Sequence, residues 1–141
     1  MKRLTTFLAF AVLVGCNSAG PGTTERPKPQ AMSTDAPLEF LLTTAVSDFR
    51  KHRSPYPSRF RQVRLGYVVA PNGTTRYMLC GEFLPTSEDG IADWTHFVTI
   101  KTDPYEQLLG AQAKGYCEQS SIVWLDGEYS SLLQNQFDSQ R

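Results

Sequence analysis

The chain has 141 residues, room for one domain and too few for two. Apolar residues make up 40% and charged residues 20%, and the fourteen basic side chains balance the fourteen acidic ones. That composition supports a packed core and argues against a nucleic-acid binder, which carries a strong basic excess.

The chain opens with two positive charges, Lys2 and Arg3, followed by the uncharged, mostly apolar run Leu4 to Val14. Eleven residues are too few to cross a bilayer as a helix, which takes roughly 20. Their length and flanks suit the hydrophobic region of a signal peptide. The run ends in Leu13-Val14-Gly15-Cys16. This resembles the lipobox of bacterial lipoproteins, in which Leu, a small or aliphatic residue and Gly or Ala precede a cysteine. In that family the thiol, the nucleophile of the group, receives a diacylglycerol. Cleavage falls before the cysteine, and the new amino group is acylated. The resemblance implies a signal peptide over 1–15, lipid attachment at Cys16, and a membrane-anchored product in the cell envelope. Asp after the cysteine often retains such proteins in the inner membrane. Asn17 stands there instead, which tilts the expectation toward the periplasmic face of the outer membrane. Removal of Lys2 and Arg3 with the signal leaves a small acidic excess.

Residues 17–37 hold four prolines, two glycines and many Ser and Thr, with no aromatic side chain. Such a segment buries too little surface to offset its ordering entropy. The expectation is a disordered tether over 16–37, with a reach on the order of 25 Å.

A single folded domain is expected over 38–141. Leu38, Leu41, Leu42, Ala45, Val46 and Phe49 recur at helical spacing, which predicts a helix over 38–53. Arg50, Lys51 and Arg53 suit its C-terminal end, and Ser54-Pro55-Tyr56-Pro57 stops it. Val63, Leu65, Tyr67 and Val69 alternate with polar residues or glycine, and 74–84 alternates likewise, so 61–70 and 74–84 read as two strands. Pro71-Asn72-Gly73 between them is a hairpin turn. A polar loop over 85–93 precedes a third strand, 94–101. Asp103-Pro104-Tyr105-Glu106 reads as a helix start, with an N-cap, a first-turn proline and an acidic third residue, so a helix is expected over 104–109. Ile122 to Leu125 reads as a short strand and 128–137 as a last helix. The fold class is α+β: an N-terminal amphipathic helix packed on a small antiparallel sheet, with short C-terminal helices.

With Cys16 lipidated, Cys80 and Cys117 remain. In an oxidising compartment they most simply form one disulfide. A metal or redox pair would need a closer spacing or a neighbouring His, and neither is present.

Catalytic motifs are lacking. His96 shares a strand face with Trp94, Val98 and Ile100 and reads as a core or rim residue, and His52 lies among basic neighbours as a surface residue. No nucleophile stands beside a base in sequence, and the acidic loop of Glu88, Asp89 and Asp93 lacks calcium-loop spacing. The expectation is a protein that is not an enzyme and holds no metal or cofactor.

Charge is segregated along the chain. Arg50, Lys51, Arg53, Arg59, Arg61, Arg64 and Arg76 fall between Phe49 and Gly81 with no acid among them, whereas ten acids and three basic residues follow from Glu82. The simpler expectation is that the two halves pair with each other across the fold. The alternative is a basic patch of Arg50, Lys51, Arg53, Arg59, Arg61 and Arg64 that meets an anionic envelope partner: lipid headgroups, a glycan or an acidic protein. Pro57-Ser58-Arg59-Phe60-Arg61-Gln62-Val63, with Leu79-Cys80-Gly81-Glu82-Phe83 and Trp94 to Phe97, also resembles small exported domains of uncharacterised proteobacterial proteins. The spacing from Pro-Ser to Phe is one residue short of that pattern, and acidic residues replace its Asn/Gly-rich stretch. That resemblance implies an exported α+β domain and no activity. Together these features predict a binding or structural module of the envelope. The alternative is a small lipoprotein inhibitor of a host or phage hydrolase.

Overall fold

A computed structural model describes residues 33–52, 56–87, 89–90 and 92–140. The expected signal peptide over 1–15, the expected lipid site Cys16, residues 17–32 of the expected tether, Arg53, the Ser54-Pro55 stop and Glu88 lie outside the described residues. The fold is α+β, with a five-stranded antiparallel sheet in the order β4-β3-β2-β1-β5. Its strands are β1 (Pro57–Val69), β2 (Thr75–Pro85), β3 (Thr95–Lys101), β4 (Tyr105–Leu109) and β5 (Val123–Trp124), and its helices α1 (Asp35–Lys51), α2 (Gly110–Cys117) and α3 (Ser130–Ser139).

Helix α1 buries Leu41, Leu42, Ala45, Val46 and Phe49, the stripe that the periodicity marks out. It begins at Asp35, three residues before the expected start, so 35–37 belong to the domain and not to the tether. Pro37 is tolerated there because first-turn amides have no partner within the helix. Asp35 suits the positive end of the helix dipole.

The two faces of the sheet carry separate cores. On one, α1 and α3 enclose Phe60, Val63, Leu65, Leu79, Phe83 and Phe97. The Phe49 ring sits 5.4, 5.0 and 5.3 Å from the rings of Phe60, Phe83 and Phe97, tilted or edge-on to each. On the other, α2 and the segment before β5 cover Met78, Cys80, Val98 and Ile100, with Ala113 and Ile122 packed against them. Alternate residues of β2 and β3 therefore point into different cores, as their two-residue period requires. The Cys80–Cys117 disulfide ties β2 to the end of α2.

The stretch after β3 departs from expectation. Residues 105–109 form a strand and not a helix, with Tyr105 opposite Lys101 and Leu109 opposite Phe97. The helix follows, over 110–117. Asp103-Pro104, a cis peptide, lies in the reversal that returns the chain along β3. The local capping signal is outweighed because β3 offers a whole edge of unpaired backbone groups to the next residues. The Tyr105 hydroxyl donates to Asp48 Oδ1 at 3.0 Å, joining β4 to α1. That hydrogen bond and the Asp48 charge hold the Tyr105 phenol above its ordinary value of 10.0.

The opposite edge is closed by the C-terminal segment. The Val63 amide donates to Glu128 Oε1 and Ser130 Oγ, both at 3.1 Å, and the Phe60 amide to Gln134 Oε1 at 3.1 Å. The amides of Leu125 and Tyr129 donate to the carbonyls of Leu65 and Val63. Side chains around the start of α3 thus do the work of a sixth strand along the first half of β1. Among the described residues, no helix is long and apolar enough to cross a membrane.

Candidate functional site

Strand β1 carries an irregularity that sets up the site. Arg61 pairs with Glu82 and Arg64 with Cys80, so Gln62 and Val63 together oppose Gly81. This is a β-bulge, and Gln62 takes the left-handed φ of 54° that one extra residue demands. Strict alternation would put Phe60 and Val63 on opposite faces. The bulge turns both into the α1 core and leaves Arg59, Arg61 and Arg64 on the α2 face.

Glu82 falls in the middle of that face and is only 9% exposed. A buried carboxylate is tolerated when paired. Arg61 Nε lies 2.5 Å from Glu82 Oε2, and His96 Nε2 lies 3.3 Å from Oε1. The Arg61 guanidinium also sits 4.0 Å from the centre of the Trp94 ring, and that of Arg64 sits 4.7 Å from the Trp124 ring. Each stack holds a long cationic side chain in one direction. Beside the Arg64–Trp124 stack is a small cavity of about 190 Å³, lined by Cys80, Gly81, Glu82 and Cys117 and by Gln62, Arg64, His96, Glu118 and Trp124. A wider groove of about 590 Å³ runs between β1 and α3, past Arg59, Phe60, Trp94, Gln134 and Asn135, with Asp138, which accepts from the Gln134 side chain, at its edge.

The basic run of the sequence is divided by the fold. Arg59, Arg61 and Arg64 stand in one row on β1. Arg50 belongs to the other side: its Nη2 donates to the carbonyl of Phe137 at 2.5 Å, and its guanidinium lies 5.0 Å from that ring. It thereby caps the C-terminal turn of α3, whose carbonyls lack helical donors. Lys51 is exposed at the end of α1, and Arg53 is outside the described residues. Arg50 and Arg61 thus reach into the C-terminal half of the chain. Arg59, Lys51 and Arg64 make no ion pair among the described residues.

Sequence reasoning passed over Glu82, Trp94 and Trp124 as site residues. A signal for Glu82 was present: it falls between Cys80 and Leu84 on a strand face that is otherwise apolar, where a carboxylate needs a partner. His96 is the rim residue its spacing suggested, and its ring is engaged by that carboxylate. His52 is exposed and contacts Asp48 of its own helix. Cys80 and Cys117 are consumed in their bridge. Among the described residues, no three His, Cys, Asp or Glu side chains are grouped to hold a metal ion. Comparisons of this chain with protein-family models, with curated proteins and with solved structures returned no match.

Proposed function

We propose that this chain is a bacterial lipoprotein, anchored through acylated Cys16, whose domain serves as a non-catalytic binding module in the cell envelope. The observation that carries this reading is the run Lys2-Arg3, eleven uncharged residues and Leu13-Val14-Gly15-Cys16. The disulfide supports it in two ways. A bridge between Cys80 and Cys117 suits an exported domain, because it persists where thiols are oxidised. It also leaves Cys16 as the one cysteine of three without a partner cysteine in the chain, free for a thioether. Several acyl chains on one residue give a firm anchor, since each buried methylene contributes about 0.8 kcal/mol. The segment that follows, rich in Pro, Gly, Ser and Thr, is long enough to hold the domain clear of the headgroups.

A binding role fits the α2 face, where Arg61 and Arg64 are held against the indoles of Trp94 and Trp124. The periplasmic face of the outer membrane is the proposed location. Mass spectrometry of the product purified from a Gram-negative host tests the anchor. The expected product begins at Cys16 and carries a diacylglycerol on sulfur and a further acyl group on nitrogen, and a Cys16→Ser chain loses the label from alkyne-tagged palmitate. An intact Met1 with an unmodified thiol overturns the proposal.

A further inference from the structure

We infer that the α2 face around Arg59, Arg64, Trp94 and Trp124 binds an acidic oligosaccharide, a chain of sugar rings bearing carboxylates; this deepens the binding-module reading and rests on it. Three observations carry the choice. The first is charge. Arg59, Arg61 and Arg64 form a row on the order of 15 Å long, and the one carboxylate buried among them, Glu82, is already matched by Arg61. Arg59 and Arg64 make no ion pair among the described residues, and their forked donors suit carboxylates. A row of that length is longer than a single ion and matches an oligomer.

The second observation is the mixture of donors and acceptors. The cavity of about 190 Å³ has Arg64 and Gln62 as donors and Glu118 as an exposed acceptor on its rim. A sugar hydroxyl donates and accepts at once, so it is satisfied by such a rim. A phospholipid surface presents mainly phosphate acceptors and offers little to Glu118, whose charge is shared with Lys114 at 3.8 Å. The third is the aromatic pair. Trp94 and Trp124 are half-buried; Trp124 lines the small cavity beside Arg64, and Trp94 lines the wider groove beside Arg59. Indoles in that setting offer flat apolar surface to the faces of sugar rings and do not project as membrane wedges.

The two tryptophans are the only ones in the chain, so emission excited selectively through indole, and not through the six tyrosines, reports on Trp94 and Trp124 alone. The test titrates the full chain, purified in neutral detergent, with an oligogalacturonate, with its methyl ester, and with micelles doped with phosphatidylglycerol. The expected result is a saturable change in emission with the acid. The ester binds at least about tenfold more weakly, and Arg59→Ala and Arg64→Ala each weaken the acid by about tenfold to a hundredfold with unchanged thermal unfolding. No saturable response to the acid, equal binding of the ester, or a stronger response to the doped micelles overturns the inference. The two readings fail separately: an acylated chain that ignores the oligosaccharide sinks only this one, and an unacylated chain that binds it sinks only the lipoprotein anchor.

Discussion

Helix α2 has a weak claim to its place. Ala113 is its one fully buried side chain, Tyr116 and Cys117 are half-buried, and its first turn has no side-chain cap. The disulfide is therefore expected to hold it, and removing the bridge should have both a global and a local effect. The cysteines are 37 residues apart. In the chain-entropy relation a loop of that length removes about 13 cal/mol/K from the unfolded ensemble, or about 4 kcal/mol at 25 °C. For a domain of this size, that corresponds to roughly 15 °C in Tm. Urea unfolding of the oxidised protein, of the same protein under reductant and of a Cys80→Ala/Cys117→Ala chain measures it. The two unbridged forms should agree to within about 1 kcal/mol, the small residual cavity at Cys80 accounting for the difference. Hydrogen exchange should show residues 110–117 losing protection well before β2 and β3, since local opening starts where buried apolar contacts are fewest. A loss under about 1 kcal/mol, or α2 amides that stay as protected as those of β3 after reduction, refutes the reasoning. The outcome bears on the candidate site, because Cys80 lines it and Glu118 follows directly on Cys117.

Phe49→Ala empties the space among three phenylalanines at the centre of the α1 core, and should cost about 3–5 kcal/mol in urea unfolding. A cost below about 1.5 kcal/mol means that α1 is not seated as described. A methyl group on Gly66 would meet Ile122 Cγ2 at 2.7 Å and Trp124 Cε3 at 2.9 Å, so Gly66→Ala should destabilise by about 1–3 kcal/mol. It should also shift the Trp124 fluorescence as the Arg64 stack is displaced; an unchanged spectrum counts against that stack. The native state holds the Tyr105 proton more tightly than the unfolded chain does, because of Asp48. This contribution to stability is therefore complete below the ordinary value of 10.0 and is lost as pH rises through the higher native value. Asp48→Asn should bring the Tyr105 ring signal in NMR titration down toward ordinary tyrosine behaviour. If that signal titrates identically in both proteins, the hydrogen bond to Asp48 is not formed in solution.

Local signals along the chain were sufficient for several elements. The 3.6-residue spacing of Leu41, Leu42, Ala45, Val46 and Phe49 defines α1, because a helix that buries one stripe must repeat it in that period. The two-residue alternation about Asn72-Gly73 defines the β1–β2 hairpin, with Gly73 at φ 81° in its turn. Asp103 to Leu109 shows the opposite case. Its residues carry the signature of a helix start, yet they pair with β3, since the value of a strand position depends on the neighbour it meets and not on its own propensity.

The site follows the same division. The sequence alone marks out the basic run and the cysteine pair, because charge and residue type need no partner to be read. It also carries the proposed anchor at Cys16, which lies outside the described residues and to which the structure adds only the bridge that engages the other two cysteines. Only the tertiary structure decides which arginines stand together. The bulge at Gln62 puts Arg59, Arg61 and Arg64 on one face, while α3 draws Arg50 to the other. Neither the register shift nor the carbonyl that receives Arg50 is written in any short stretch of sequence. Both arise when Phe60 and Val63 must be buried in the same core and the end of α3 needs a donor.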